Sequence, residues 1–314
     1  MRFGSANKTI FNKLCFMNLL WGIDLGGTKV ECAVLDADND YKEVARDRIP
    51  ANHKEGYNTL LQNIAQFIED LSSKLGSRPT KLGIGTPGII DEQSGLMINC
   101  HNTCLLNKPF KQDLSDLLGL EVRVANDANC FALAEAVLGS GSGVKDARMV
   151  FGVIMGTGVG GGLVLDQKVW NGKNRIAAEF GHTVISDQNL CNCGRTGCIE
   201  TFISGPSLEK YYESRTGEFK KLKYIIELAR NKEDDIAVET FNRLIKYFGK
   251  AMGNIINMLD PDVIVIGGGL ANIDELYQEG IQAVAEEIFM DEVRTPILRP
   301  KLGGSAGVYG AAFL

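Results

Sequence analysis

The sequence predicts an α/β fold built as two related lobes, and three observations carry that reading. Short apolar runs of strand length alternate with stretches of helical periodicity along the 314 residues. The stretch "WGIDLGGTKVECAVLD", residues 21–36, returns without a gap 130 residues later as "FGVIMGTGVGGGLVLD", with Gly22, Gly26, Val34, Leu35 and Asp36 meeting identical residues. Three of the apolar runs also lead straight into glycine loops: "GGTK", "GTGVGGG" and "GGGLA".

Each element follows from its own pattern. "LLWGIDL" at 19–25 and "VECAVLD" at 30–36, joined by a Gly-Gly turn, predict a hairpin. Leu60, Leu61, Ile64, Phe67, Ile68, Leu71 and Leu75 recur at helical spacing and predict an amphipathic helix over 57–75. "KLGIGTPGII" at 81–90 reads as a buried strand entering a loop, and "VRVANDANCFALAEA" at 122–136 as a strand passing into a helix. "MVFGVIM" at 149–155 and "LVLD" at 163–166 form the second hairpin, and Phe241 to Leu259 a long helix. "DPDVIVIGGGLAN" is a buried strand ending in the third glycine loop, and "LGGSAGVYGAAFL" a closing helix. The expected organisation is a tail at 1–18, a small lobe at 19–124 closed by the helix at 303–314, and a large lobe at 125–302 with a metal loop at 182–200.

Composition narrows the function. With 45% hydrophobic and 23% charged residues and a formal charge of -6, the chain is ordinary globular protein without the basic footprint that nucleic acid or anionic membrane demands. Its N-terminal apolar run is too short to span a bilayer and carries no cleavage signature, so the expected location is the cytoplasm. Residues 1–16, ahead of Met17, read as a loose tail or an upstream start-codon artefact. Cys15, Cys32, Cys100, Cys104 and Cys130 are scattered and read as plain thiols.

Glycine lets a backbone approach a ligand closely, so that successive N–H groups converge on an anion, most often phosphate. Thr28 and Lys29 add a hydroxyl and a cation to the first loop, and Thr157 a hydroxyl to the second. Neither loop fits the Walker spacing or the dinucleotide fingerprint, because both return as strands. Two phosphate hairpins, with a third loop for the nucleoside, are instead the arrangement of the actin and sugar-kinase ATPase fold. Asp24, at the end of the first strand, either anchors magnesium through water or caps the turn.

Asn126 and Asp127 stand where a strand meets a helix. Either caps the helix, or the carboxylate accepts a proton from a substrate hydroxyl; spacing leaves both roles open. The densest motif is "CNCGRTGC", nine residues after "EFGH". Cys191, Cys193 and Cys198 are too close together for independent disulfides, and with His182 they complete a tetrahedral zinc shell with no open position, which makes the zinc structural. Glu179 and Glu200 flank this set. A histidine that ligates through one ring nitrogen can donate from the other to a substrate oxygen, so the metal would clamp one wall of a sugar pocket.

At these residues the sequence resembles the ROK family of repressors and sugar kinases. The matching motifs run in order: "GIDLGGTK", "GIGTPG", "NDAN", "GTGVGGG", "EFGH", "CNCGRTGCIE", "DPDVIVIGGG" and "AGVYGAA". The resemblance implies Asp127 as the base, Asn126, Glu179, His182 and Glu200 as sugar ligands, and zinc on His182, Cys191, Cys193 and Cys198. It implies ATP contacts at Asp24, Gly26, Gly27, Thr28, Lys29, Gly156, Thr157, Gly158 and Gly160, with adenosine near Gly267, Gly268 and Gly269. Only about twenty residues precede the first strand, too few for the helix-turn-helix domain of the family repressors, so the kinase branch is expected. The expected reaction moves the γ-phosphoryl of Mg-ATP to a hexose hydroxyl, O6 by preference, in an enzyme of the fructokinase, mannokinase or glucokinase type. N-acetylglucosamine or N-acetylmannosamine kinase is the alternative, and a non-catalytic sugar-sensing regulator the alternative of another class. The family also implies a homodimer.

Overall fold

Strand β1 (Leu19–Leu25) buries Trp21, Ile23 and Leu25 and pairs antiparallel with β2 (Lys29–Asp36), which pairs antiparallel with β3 (Lys42–Pro50). The computed structural model describes residues 18–100 and 104–314, so the tail expected at 1–16, Met17, Cys15 and residues 101–103 lie outside the described residues. Helix α1 (Tyr57–Leu75) covers the sheet with the apolar stripe read from its spacing and stops at Gly76, whose φ of 64° only glycine adopts cheaply. Strand β4 (Lys81–Thr86) then runs parallel to β1, and a small hairpin of β5 (Ile89–Ile90) and β6 (Met97–Ile98) follows. After α2 (Phe110–Leu118), β7 (Glu121–Asn126) pairs parallel with β4 and passes directly into α3 (Asp127–Val137). The sheet order is β3-β2-β1-β4-β7.

A second sheet repeats this plan. Strands β8 (Met149–Met155), β9 (Val159–Leu165) and β10 (Lys168–Val169) form an antiparallel meander. Helices α4 (Glu200–Ile203), α5 (Gly205–Thr216), α6 (Leu222–Asn231) and α7 (Asp235–Leu259) precede β11 (Val263–Gly267), which is parallel to β8. Helix α7 begins six residues ahead of the expected Phe241 because Asp234 caps it, accepting from Ile236 N at 2.8 Å and Ala237 N at 3.0 Å. Helix α8 (Glu279–Ala285) and β12 (Ile297–Leu298) complete the order β10-β9-β8-β11-β12. The last helix, α9 (Ala306–Ala312), belongs to the first sheet, against β1 and β4.

The chain divides into two units. The first holds the described residues up to Ala134, Gly172–Arg175 and Gly304–Leu314; the second holds Glu135–Asn171 and Ile176–Gly303. Each has its own core, around Trp21, Ile64 and Phe110 in the first and around Phe151, Phe202 and Phe248 in the second. The shared strand order and senses are those of the actin-like ATPase fold.

The gapless repeat needs one correction. Gly26–Lys29 stand between the paired ends Leu25 and Val30, whereas Gly156–Gly158 stand between Met155 and Val159, so the second turn is shorter by one residue. Trp21 therefore pairs with Val34, but Phe151 pairs with Leu163 and not with Val164. The return strands tolerate this slip because residues on both of their faces are buried, leaving no polar face to misplace.

Candidate functional site

In the first unit, the ends of β1 and β7 carry Asp24, Asn126 and Asp127. Asn126 Oδ1 accepts from Asn129 N at 2.8 Å and so caps α3. Asp127 Oδ1 accepts from Ala128 N, also at 2.8 Å. Asp127 reaches solvent, yet protein atoms crowd it on most sides, and this desolvation raises its carboxyl above the ordinary range. Burial and then the charge of Asp127 raise Asp24 as well. The Asp24 carboxylate accepts no hydrogen bond among the described residues, so it does not cap the turn. Two carboxyls that each resist ionisation suit a proton acceptor and a cation anchor.

The loop Gly26–Lys29 is held from behind. Gly26 N donates to Lys29 O at 3.0 Å, Ala51 N donates to Thr28 O at 3.0 Å, and the His53 ring nitrogen Nε2 bonds Gly26 O at 2.9 Å. Lys29, expected from its loop position to be a phosphate ligand, is ion-paired with Glu31. Arg46 Nε also donates to Glu31 Oε1, at 2.7 Å. Burial opposes ionisation of Glu31, but these two cations outweigh it and hold its carboxyl below the usual range. Arg46 and His53 are therefore additions that the motif reading did not contain.

In the second unit, Val159 ties three features together. Its N–H donates to Glu200 Oε2 at 2.9 Å, fixing the first residue of α4 against the glycine loop. Its carbonyl oxygen lies 1.9 Å from where a side chain on Gly181 would begin, so only glycine lets the Phe180–His182 turn sit there. His182 N donates to Glu179 O at 3.2 Å, which sets Glu179 and His182 one tight turn apart. The third loop crosses the end of β8: Gly268 has φ 81°, and a side chain there would meet Met155 O at 2.2 Å. Gly156 O accepts from Gly205 N at 2.8 Å, so the second loop also anchors α5. The structure thus gathers Gly156–Gly160, Gly267–Gly269, Glu179, His182 and Glu200 within this unit.

His182, Cys191, Cys193 and Cys198 present ligand atoms that all lie within 4.8 Å of one another. Cys193 Sγ and Cys198 Sγ are 3.6 Å apart, as are Cys191 Sγ and His182 Nδ1. Tetrahedral zinc with thiolate bonds of about 2.3 Å would need S···S separations of about 3.8 Å. The Arg195 backbone N–H and guanidinium pull the Cys193 thiol down to about 6, whereas burial pushes Cys198 up to about 12. A thiolate at Cys198 therefore calls for a cation, and the donor set fits zinc. Of the remaining described cysteines, Cys32, Cys100 and Cys130 are buried and Cys104 half-buried.

A glycine-loop ATPase fold with a desolvated carboxylate where a strand meets a helix belongs to a class: a phosphotransferase acting on a sugar. The chain belongs to the ROK family, whose model matches residues 20–314. It is 36% identical over 307 residues to an N-acetyl-D-glucosamine kinase of Vibrio atlanticus, covering 94% of this chain and 99% of that one. It is 35% identical over 306 residues to the N-acetylgalactosamine kinase AgaK of a Shewanella species, covering 94% and 96%. Among solved structures, a ROK glucokinase from Streptomyces griseus in complex with glucose and AMPPNP aligns with TM-score 0.71 and 28% identity, over 94% of this chain and 98% of that one. Among the described residues, no helix is long and apolar enough to cross a membrane.

Proposed function

We propose that the chain is an ATP-dependent N-acetylhexosamine kinase, with N-acetylglucosamine or its galacto epimer as acceptor. The observation that carries the acceptor class is that relatives matched over 94% of the chain, at 36% and 35% identity, are named for those two sugars. This moves the reading from the fructose, mannose or glucose acceptor expected from the motifs to the N-acetyl alternative. A pocket that differs by one acetamide leaves no trace in motif spacing.

In the proposed mechanism Asp127 takes the proton from the acceptor hydroxyl as its oxygen bonds to the γ-phosphorus. The bond from that phosphorus to the β,γ-bridging oxygen breaks, and ADP leaves. A carboxyl raised by desolvation is a stronger base than a solvated one, and the Ala128 N–H fixes one of its oxygens. Asn126, its Oδ1 committed to the helix cap, offers its amide N–H groups to the sugar. Asp24 anchors magnesium, and Gly26, Gly27, Thr28 and Lys29 take ATP phosphates. In the second unit, Gly156, Thr157, Gly158 and Gly160 receive phosphates, Gly267–Gly269 the adenosine, and Glu179, His182 and Glu200 sugar hydroxyls. His182 would hold zinc through Nδ1 and leave Nε2 to donate, so the metal would fix the ring's direction.

The test is ADP release from Mg-ATP across N-acetylglucosamine, N-acetylgalactosamine, N-acetylmannosamine, glucose, mannose and fructose. An N-acetylhexosamine should exceed every neutral hexose in kcat/KM by at least about tenfold, the scale of one recognised polar group. A neutral hexose at the top would return the acceptor to the motif-based expectation.

A further inference from the structure

Beside Glu200, in the second unit, lies a cavity of about 390 Å³, most of whose lining has no part in the proposed reaction. The N-cap Ser204 and one face of α5 line it: Ser204, Ser207, Tyr211 and Ser214 recur at helical spacing, each hydroxyl donating its proton within the protein and keeping lone pairs for a ligand's donors. Arg243 of α7 and residues 189–192, in the loop that carries Cys191, complete the lining.

The Arg243 guanidinium stands 4.6 Å from the Phe202 ring centre, 4.5 Å from that of Tyr211 and 5.0 Å from that of Tyr247. The three rings hold the guanidinium by stacking, and it stays half-exposed toward the cavity. It nonetheless makes no hydrogen bond or ion pair among the described residues. Its nearest acidic neighbour on the same helix, Glu239, is already bonded to Arg215 and to the Tyr211 hydroxyl. Lys210, exposed at the rim, has no ion pair among the described residues either. The single carboxylate in the lining, Glu200, is bonded to Val159 N. An arginine fork immobilised by stacking, its N–H edges unspent, suits an anion with several oxygens in one plane. The row of hydroxyls beside it suits a hydroxylated body, and the volume lies in the range of small-molecule sites.

We propose that this cavity binds a sugar phosphate, with the phosphate on Arg243 and Lys210 and the sugar hydroxyls along Ser204, Ser207 and Ser214. The class of ligand rests on the proposed function, because a sugar phosphate is what that reaction releases. The cavity shares Thr157 and Glu200 with the candidate reaction site. Occupancy therefore reports product to the glycine loop through Thr157 and Glu200, which makes the cavity a site of product feedback.

The test uses the full chain, with acceptor sugar and a non-hydrolysable Mg-ATP analogue both saturating, so that the reaction site is filled. Isothermal titration with N-acetylglucosamine 6-phosphate, with inorganic phosphate and with further N-acetylglucosamine separates the sources of affinity. The sugar phosphate should bind one per chain and more tightly than inorganic phosphate, and the unphosphorylated sugar should give no further heat. Arg243→Met, which keeps a long side chain among the three rings, should weaken sugar phosphate binding at least tenfold while leaving kcat and both KM values unchanged. Lys210→Glu, an exposed change that spares the stack, should weaken it several-fold and serves if Arg243→Met fails to fold. No sugar phosphate binding to the wild-type chain, or equal binding in the variants, overturns the proposal. Binding that depends on Arg243 in a chain that phosphorylates no sugar would sink the kinase reading and leave the site; normal turnover with binding independent of Arg243 would do the reverse.

Discussion

Replacing His53 with Ala should loosen the first phosphate loop while leaving the acceptor side alone. A trans peptide points its C=O and its following N–H in opposite directions. With Gly26 O held by the His53 ring at 2.9 Å, the Gly27 N–H faces away from His53. With Thr28 O held by Ala51 N at 3.0 Å, the Lys29 N–H is turned in the same manner. The histidine thus aims an amide of the loop proposed to take ATP phosphate. One such bond has a net worth of about 0.5–1.5 kcal/mol, and at about 1.4 kcal/mol per tenfold its loss corresponds to a roughly 2- to 12-fold rise in KM for ATP. Initial rates would be measured with ATP varied at saturating sugar, then with sugar varied at saturating ATP, for wild type, His53→Ala and His53→Gln. Glutamine keeps an N–H donor and should recover part of the loss. An unchanged KM for ATP in His53→Ala, or a KM for sugar that rises by the same factor, would refute the aiming role.

Asp127→Asn should lower kcat by roughly 10²–10⁴, the usual worth of a positioned base, and should raise the melting temperature at pH 7. The sign follows from its raised carboxyl: the stability linked to that group is complete below its unfolded value and is lost as pH rises through the folded one, so an uncharged amide removes a cost at neutral pH. A lower melting temperature would contradict the desolvation argument. For the same reason the acid limb of kcat/KM should lie above the ordinary aspartate value of 3.8, and a limb at or below it would separate Asp127 from the base role. Cys193→Ser should abolish bound zinc, read by elemental analysis as one per chain in the wild type, and should raise KM for sugar; a metal-free variant with normal KM would detach the metal from the sugar wall. Gly83→Ala places a methyl 1.7 Å from the Ala311 carbonyl oxygen, and overpacking of this kind costs about 1–3 kcal/mol, so the midpoint of urea unfolding should fall.

Local chemistry was readable and long-range partnership was not. The α1 stripe, the β7-to-α3 junction at Asn126 and Asp127, and the ligands packed into residues 182–198 each declare themselves within one turn or one loop. His53 meets its carbonyl across 27 residues, and Arg46 meets Glu31 across 15. The fully buried Glu135 accepts from Lys301 N across 166 residues, and in the sequence it is one more polar position in a helix that otherwise reads as apolar. The one-residue slip between the two hairpins was hidden because identical letters line up more readily than paired strands do. The Arg243 stack draws its rings from α4, α5 and α7, and nothing in the sequence around Arg243 announces them.

The place of α9 bears on how the chain is made. Gly22 and Gly83 let this helix lie directly on β1 and β4, and the Leu314 oxygen accepts from Lys81 Nζ at 3.0 Å and Arg123 Nη1 at 2.8 Å. The first unit is therefore closed by residues that come after the whole of the second in the chain. On a ribosome, the second unit is complete once Gly303 has emerged, while β1 and β4 still wait with one face bare. Vectorial synthesis thus lets the later unit be complete in the emerging chain first, and the earlier one, carrying Asp24 and Asp127, close only after residues 304–314 have followed.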